Sequence, residues 1–303
     1  MKHVLTLREL DGSQIAELVE LGLETKRDPE RFEEAARRRG LLILMEKTST
    51  RTTLSFTAAI QQMGGWSLKL DWVESNFSIS PIHHEAAYVS RNSDVIMARL
   101  KTWDSLTALA GGATVPVING CCTRHHPSQA LADLITIREK FGRLEGASIA
   151  YVGIHNNVAN SLLVGCTRTG VRVGLVTPIV NEPSRDQELV DEAEATGLVT
   201  RYESVREAAE ACDFIYTDTW VDMEWFKDAS YDEERKRRVD LMTPYQLNEE
   251  NLGGADVRVM HDMPIHPGFE ISEELTQDPR SIIYDQAENR LYSAKALLLH
   301  ALA

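Results

Sequence analysis

"LLILMEKTSTRTTLSFTAAIQQMG", residues 41–64, runs from an apolar, β-prone segment through five hydroxyl residues and Arg51 into a helical pattern. "LLILME" has the length and composition of a buried strand, and "RTTLSFTAAIQQMG" carries its apolar residues at helical spacing. With a strand before and a helix after, Ser49, Thr50, Arg51 and Thr52 stand at the helix N-terminus. Unpaired backbone N–H groups and the positive end of the helix dipole gather there. The hydroxyls add donors, and the guanidinium of Arg51 adds a planar cation suited to phosphate oxygens. Capping the helix needs one hydroxyl, not a cluster with an arginine. The G-x-x-x-x-G-K-[ST] pattern of a nucleotide-triphosphate loop is absent, so a small phosphorylated metabolite fits better.

Working outward, "SLKLDWV", "DVIMARL" and "VPVINGC" alternate with helical patterns such as "SQALADLITIREKFG", the signature of a parallel sheet with crossover helices. A second series begins at "ASIAYVGI" and continues through "RVGLVTP", "FIYTDTW", "VRVMHDMP" and "SIIYDQA", each read as a strand. The break falls in "KFGRLEG", residues 140–146, where a helix ends in charge and glycine. The fold class expected is α/β, with two doubly wound parallel-sheet domains joined by interdomain helices. The boundaries expected are 1–142 and 143–285, with an amphipathic C-terminal helix, 286–303, returning to the first domain. "DEERKRR", residues 232–238, reads as a solvated helix face.

The chain has 303 residues, 43% hydrophobic and 26% charged, with a net charge of −14 and a pI near 5.1. That is enough apolar material for two cored domains. The acidic balance argues against a general nucleic-acid binder, since phosphate-backbone affinity needs clustered Lys and Arg. No stretch approaches the ~20 apolar residues that span a bilayer, and a soluble cytoplasmic protein without a membrane partner is expected. Cys121, Cys122, Cys166 and Cys212 lack the spacing of a zinc site or a disulfide scaffold and read as reduced thiols. A set of Cys121, Cys122, His125 and His126 can be drawn, but adjacent cysteines seldom chelate one ion, and no metal site is assigned.

"TRHHPSQALADL", residues 123–134, places His126 and Gln129 three apart, with Pro127 able to open a helix. An imidazole can donate to a developing oxyanion while an amide oxygen accepts from an N–H2 group, so the pair suits a ligand with a carbonyl and an amide. Arg99 closes the apolar strand "VIMARL", where a buried cation needs an anionic partner.

"STRT" after a strand, "MAR" at a strand end and then "HPSQALADL", in this order, resemble the aspartate/ornithine carbamoyltransferases, and the likeness covers essentially the whole chain. It implies that Ser49, Thr50, Arg51 and Thr52 cradle the phosphate of carbamoyl phosphate. It places Thr52, Arg99 and His126 on the carbonyl oxygen and Gln129 on the carbamoyl amide. Arg290, in "AENR", matches a family arginine that also reaches carbamoyl phosphate. The first domain is then the carbamoyl phosphate domain and the second the acceptor domain, with no metal or organic cofactor. A homotrimer or a multiple of one is implied.

"AYVGIHNNVANSLL" has the strand, turn and helix of a Rossmann unit, but Gly153 is followed by Ile154 and His155, so G-x-G-x-x-G is missing and NAD is disfavoured. "NNVANS" resembles the ornithine branch, whose asparagine at the position of Asn157 binds the acceptor's amino-acid part. Asp218, in "DTWVDME", matches the aspartate that pairs with the α-ammonium. The chain then departs from that branch: Asp222 and Met223 stand where it has Ser-Met, and His261 and Asp262, in "MHDMP", where it has His-Cys. Three carboxylates, Asp218, Asp222 and Asp262, in one pocket require a proton or a cation. The expected acceptor is therefore a cationic amine: ornithine or a related basic amino acid, with lysine, a shorter diamino acid or a diamine left open. Asp262 is read as proton acceptor or as anchor for a positive group. The family's loop from a neighbouring subunit, with its Lys or Gln, corresponds to residues 72–89, where only Ser75, Ser78, Ser80, His83 and His84 stand. A non-catalytic metabolite-binding paralogue is the reading of another class.

Overall fold

The computed structural model describes residues 2–221 and 229–303. Asp222 and Met223, two of the expected acceptor contacts, lie outside the described residues. The first half runs α1 (Gly12–Arg27), β1 (Gly40–Met45), α2 (Thr50–Gln62), β2 (Trp66–Asp71), α3 (Ile82–Val89), β3 (Val95–Arg99), α4 (Trp103–Gly112), β4 (Val117–Cys121) and α5 (Pro127–Phe141). The second runs β5 (Ser148–His155), α6 (Asn157–Arg168), β6 (Arg172–Val180), α7 (Gln187–Ala195), β7 (Val199–Arg201), α8 (Val205–Ala211), β8 (Phe214–Thr217), α9 (Asp232–Met242), α10 (Glu249–Leu252), β9 (Arg258–His261), α11 (Glu273–Thr276) and α12 (Ile283–Leu302). The strands form two parallel sheets, ordered β2-β1-β3-β4 and β7-β6-β5-β8-β9. The α/β class with two doubly wound sheets is thus as the sequence pattern predicts.

β1 and β5 are central and buried along their whole length, whereas edge strand β2 leaves Trp66 and Leu68 exposed. In β3, alternation sends Val95 and Met97 into the core shared with α2 and α12, and Ile96 and Ala98 into the core under α3 and α4. The shared core is continuous across the halves, joining Leu134 and Ile135 of α5, Leu162 of α6 and Leu297 of α12. Each such buried Leu or Ile contributes about 1.5–3 kcal/mol.

Apolar packing tolerates sliding, but α12 is also tied to α5 by polar contacts. Gln286 Nε2 donates to Asp133 Oδ1 at 2.7 Å, Asn289 Nδ2 to Thr136 Oγ1 at 3.0 Å, and Ser293 Oγ to the Ser128 carbonyl at 2.7 Å. Buried and satisfied, these bonds fix the register of one helix on the other.

One expectation changes, and one strand is added. "SIIYDQA" is not a strand: Ser281 makes one bridge to Val259, and α12 begins at Ile283. Its buried polar residues Gln286, Asn289 and Ser293 recur at helical spacing, which outweighs the short Ile282–Ile283 pair. β7, three residues long and half exposed, gave no apolar run to read. No helix among the described residues is long and apolar enough to cross a membrane.

Candidate active site

In each sheet the strand order reverses between two central neighbours, β1 and β3 in the first and β5 and β8 in the second. Loops diverge at the carboxyl ends of such strands and leave a crevice. Here the two crevices open into one cavity of about 580 Å³, lined from the first half by Ser49, Arg51, Arg99 and His126 and from the second by Asn157 and Asp218.

On the first side, Ser49 is the N-cap of α2, its Oγ accepting from the Thr52 N–H at 3.3 Å. Thr52 is fully buried, and three donors converge on its Oγ1: Ser49 Oγ at 3.0 Å, Arg99 Nη1 at 3.3 Å and Arg290 Nη2 at 3.0 Å. A hydroxyl oxygen has two lone pairs, so this corner holds more donors than its acceptors can receive. The Nε atoms of Arg99 and Arg290 are also buried without a hydrogen-bond partner. An oxyanion corrects that imbalance. Burial draws the Arg51 guanidinium below its ordinary value, and the nearby Asp262 charge opposes the shift. Gly120 makes the close approach possible, since a Cβ there would meet Met97 Sδ at 2.3 Å and Thr52 Cγ2 at 3.2 Å.

His126 precedes Pro127, the first residue of α5, and its N–H donates to Ser161 Oγ of α6 at 2.7 Å. Burial first, then the charges of Arg290, Arg99 and Arg51, hold its imidazole well below the ordinary histidine range. The ring is therefore neutral near neutral pH and able to donate one N–H. Gln129 lies one turn on, fully buried behind Arg290 and off the cavity wall. Its Nε2 donates to Asp133 Oδ1 at 2.8 Å, so its Oε1 faces Arg290 Nη1 and accepts from it. The Asp133 carboxyl, which the sequence reading passed over, is pushed up to about 7 by burial.

On the second side, Asn156 caps α6, its Oδ1 accepting from Val158 N at 2.9 Å and Ala159 N at 3.1 Å. That leaves its Nδ2 to donate to Asp218 Oδ2 at 2.7 Å. Burial, with the Asp262 charge behind it, raises the Asp218 carboxyl well above the carboxylate range. Asn157 also faces the cavity but donates to the Cys122 carbonyl at 2.7 Å and to Cys121 Sγ at 3.2 Å. Burial raises the Cys121 thiol, which keeps it from acting as a thiolate.

Asp262 follows β9, lines the cavity and lies 3.3 Å from Arg290 Nη1. His261, expected to touch the acceptor, is instead buried behind the loop. Its Nδ1 accepts from the Met263 N–H at 2.7 Å, so Nε2 carries the proton and donates to the buried Glu270 at 3.0 Å. Those two bonds hold Met263 at a φ of 63°, in the left-handed region. His261 therefore shapes the loop after β9 instead of lining the cavity.

The fold thus brings Ser49, Arg51, Arg99, His126, Asn157, Asp218, Asp262 and Arg290 to one wall or another of the cavity, with Thr52 directly beneath. Thr50 is exposed and its side chain is off the cavity; Gln129 and His261 stand behind it. Ser75, Ser78, Ser80, His83 and His84 do not line it either. Residues missed from the sequence include Asn156, for which the N-cap position before Asn157 was the available signal, and Asp133, one helical turn from Gln129. "DEERKRR" is not wholly solvated: Arg238 lines the cavity, 3.4 Å from Asn181 Oδ1 and 3.1 Å from Glu234.

Two family models match the chain: "Aspartate/ornithine carbamoyltransferase, carbamoyl-P binding domain" over residues 2–139, and "Aspartate/ornithine carbamoyltransferase, Asp/Orn binding domain" over residues 145–301. An ornithine carbamoyltransferase of Archaeoglobus fulgidus is 36% identical over 310 residues, covering 100% of this chain and 98% of the relative. One of Parafrankia sp. is 39% identical over 308 residues, covering 98% and 95%. Among solved structures, ornithine carbamoyltransferase from Pyrococcus furiosus superposes with a TM-score of 0.88 at 33% identity, covering 98% of this chain and 96% of that one. The Thermus thermophilus enzyme superposes with a TM-score of 0.87 at 33% identity, covering 100% and 99%. With both halves matched, in the order in which the two crevices face each other, this chain belongs to the aspartate/ornithine carbamoyltransferase family.

Proposed function

We propose that the protein moves the carbamoyl group of carbamoyl phosphate to the amine of ornithine or a related basic amino acid and releases phosphate. The observation that carries this reading is one cavity that holds Arg51, Arg99 and Arg290 at the start of α2 together with Asn157, Asp218 and Asp262 from the second half. In this reading Ser49, Thr50, Arg51 and Thr52 hold the phosphate, Thr50 through its backbone. The acceptor nitrogen attacks the carbonyl carbon, a C–N bond forms, the C–O bond to phosphate breaks, and the amine gives up a proton. Arg99, Thr52 and the neutral His126 stabilise the oxyanion, where one preorganised donor is worth about 2.7–4 kcal/mol. Gln129 orients Arg290 and, when Arg290 turns away, accepts from the carbamoyl amide. Asp218 anchors the acceptor's ammonium, and Asp262 holds a positive group or takes the proton.

The same proposal gives carbamoyl phosphate to residues 1–142 with helix 286–303, and the acceptor to 143–285; the break between the matched family models, 139 to 145, supports the boundary, and the bonds of α12 to α5 support the return of the last helix, although the second model runs on through 301. A homotrimer or multiple with residues 75–84 crossing the interface is supported by exposed Trp66 and Leu68 on edge strand β2 and by exposed Val73 and Ile79. A cytoplasmic location and a place in arginine biosynthesis belong to the same reading.

The test is product formation from labelled carbamoyl phosphate with ornithine, lysine, shorter diamino acids and putrescine. Carbamoylated ornithine with equimolar phosphate is expected. Label that binds but reaches no amine would instead favour the non-catalytic paralogue.

A further inference from the structure

Arg290 is almost fully buried, and its two terminal nitrogens meet three acceptors within the chain: Gln129 Oε1, Thr52 Oγ1 at 3.0 Å and Asp262 Oδ1 at 3.3 Å. The first two are neutral. Asp262 is the only anion of the three, and its own side chain opens onto the cavity. Its charge also reaches Arg51, which lies on the phosphate side. Three guanidinium groups, Arg51, Arg99 and Arg290, therefore face one fixed carboxylate, with Asp218 pushed toward its neutral form next to it. The surplus of positive charge suits a phosphate dianion. An oxyanion that draws Arg290 Nη1 to itself competes with Asp262 Oδ1 for that nitrogen.

We propose that Asp262 is an internal rival of carbamoyl phosphate for Arg290, and that carbamoyl phosphate, by taking Arg290, hands Asp262 to the ammonium group of the acceptor. This rests on the function proposed above and deepens it by naming the switch between the two subsites. Once Arg290 turns to the incoming anion, Asp262 and Asp218 share the acceptor wall, and Asp262 has lost its direct ion pair. Two neighbouring carboxyls in a partly desolvated wall need a positive guest. The acceptor then binds more tightly after carbamoyl phosphate than before it, and by linkage each substrate favours the other. Asp262 thereby weakens carbamoyl phosphate binding in exchange for an anionic acceptor site that exists when the carbamoyl donor is in place.

The experiment titrates inorganic phosphate calorimetrically into the wild type and Asp262→Asn, and measures acceptor KM at saturating carbamoyl phosphate for both. Removing the charge frees Arg290, so phosphate should bind Asp262→Asn about three- to tenfold more tightly, the range set by a partly buried ion pair. Acceptor KM should rise at least about tenfold, as for loss of a charged hydrogen bond. Equal or weaker phosphate binding in a folded Asp262→Asn overturns the exchange, since a residue that merely supports the loop would not tighten the phosphate side. Asp262→Ser reads the same two quantities if the asparagine variant does not fold. A wild type that takes up phosphate but shows no gain in either variant refutes this inference alone, whereas a wild type and two folded variants that all take up no phosphate refute the proposed function as well.

Discussion

Asp133 gives the sharpest test of the buried network between the halves. Its Oδ1 accepts from Gln129 Nε2 at 2.8 Å and from Gln286 Nε2 at 2.7 Å, while Oδ2 is buried without a partner. Burial raises the carboxyl from an ordinary 3.8 to about 7. Between those values the unfolded chain has released the proton and the folded chain has kept it, so stability falls as pH rises, and levels off above about 7. At about 1.36 kcal/mol for each pH unit, the whole fall is up to ~4 kcal/mol. Asp133→Asn keeps an oxygen for both glutamines and never ionises, so it should lack this slope. His125, drawn down to about 4 by burial, acts in the opposite sense, adding stability as pH rises from about 4 to 6.5. It is present in both proteins and cancels in their difference. Urea unfolding of the wild type and Asp133→Asn, at one protein concentration and from pH ~4.5 to ~8.5, should show the variant gaining by up to ~3 kcal/mol as pH rises from ~4.5 to about 7, and no more above it. A difference that stays flat across that range refutes the reasoning.

Two further outcomes follow from the same geometry. Arg51→Ala should abolish calorimetric binding of carbamoyl phosphate in a folded protein, and unchanged affinity would remove the start of α2 as the phosphate site. Ser161→Ala leaves the buried His126 N–H, now 2.7 Å from the serine oxygen, without an acceptor. That should cost about 1–3 kcal/mol in unfolding free energy and lower kcat together with it, because His126 is tethered there; wild-type stability would show that the bond is dispensable.

Much of the site was legible because its parts are local. Ser49 to Thr52 sit between a buried strand and an amphipathic helix, and such a junction gathers free N–H groups wherever it occurs. Arg99 at the end of an apolar strand and His126 before a helix-opening proline are equally short-range statements, and the cavity gathers both with Ser49 and Arg51. The two-sheet fold was legible for the same reason: continuous apolar runs alternating with helical periodicity leave few other arrangements.

What the chain alone could not decide is how its charges pair. From sequence, Asp262 was a carboxylate without a cation, calling for one from the acceptor; in the fold Arg290, 28 residues on, supplies it. His261 appeared as an acceptor contact and became the support of a loop, because Glu270 and the Met263 N–H take both ring nitrogens. Gln129 and Asp133 share a helix face, but only the docking of α12 brings Arg290 and Gln286 onto them and sets which way the amide points. The meaning of a charged or amide group lies in the partner and the solvent it is left with. Those are fixed by contacts between distant segments, whereas helix caps and buried strands are fixed by neighbours a few residues away.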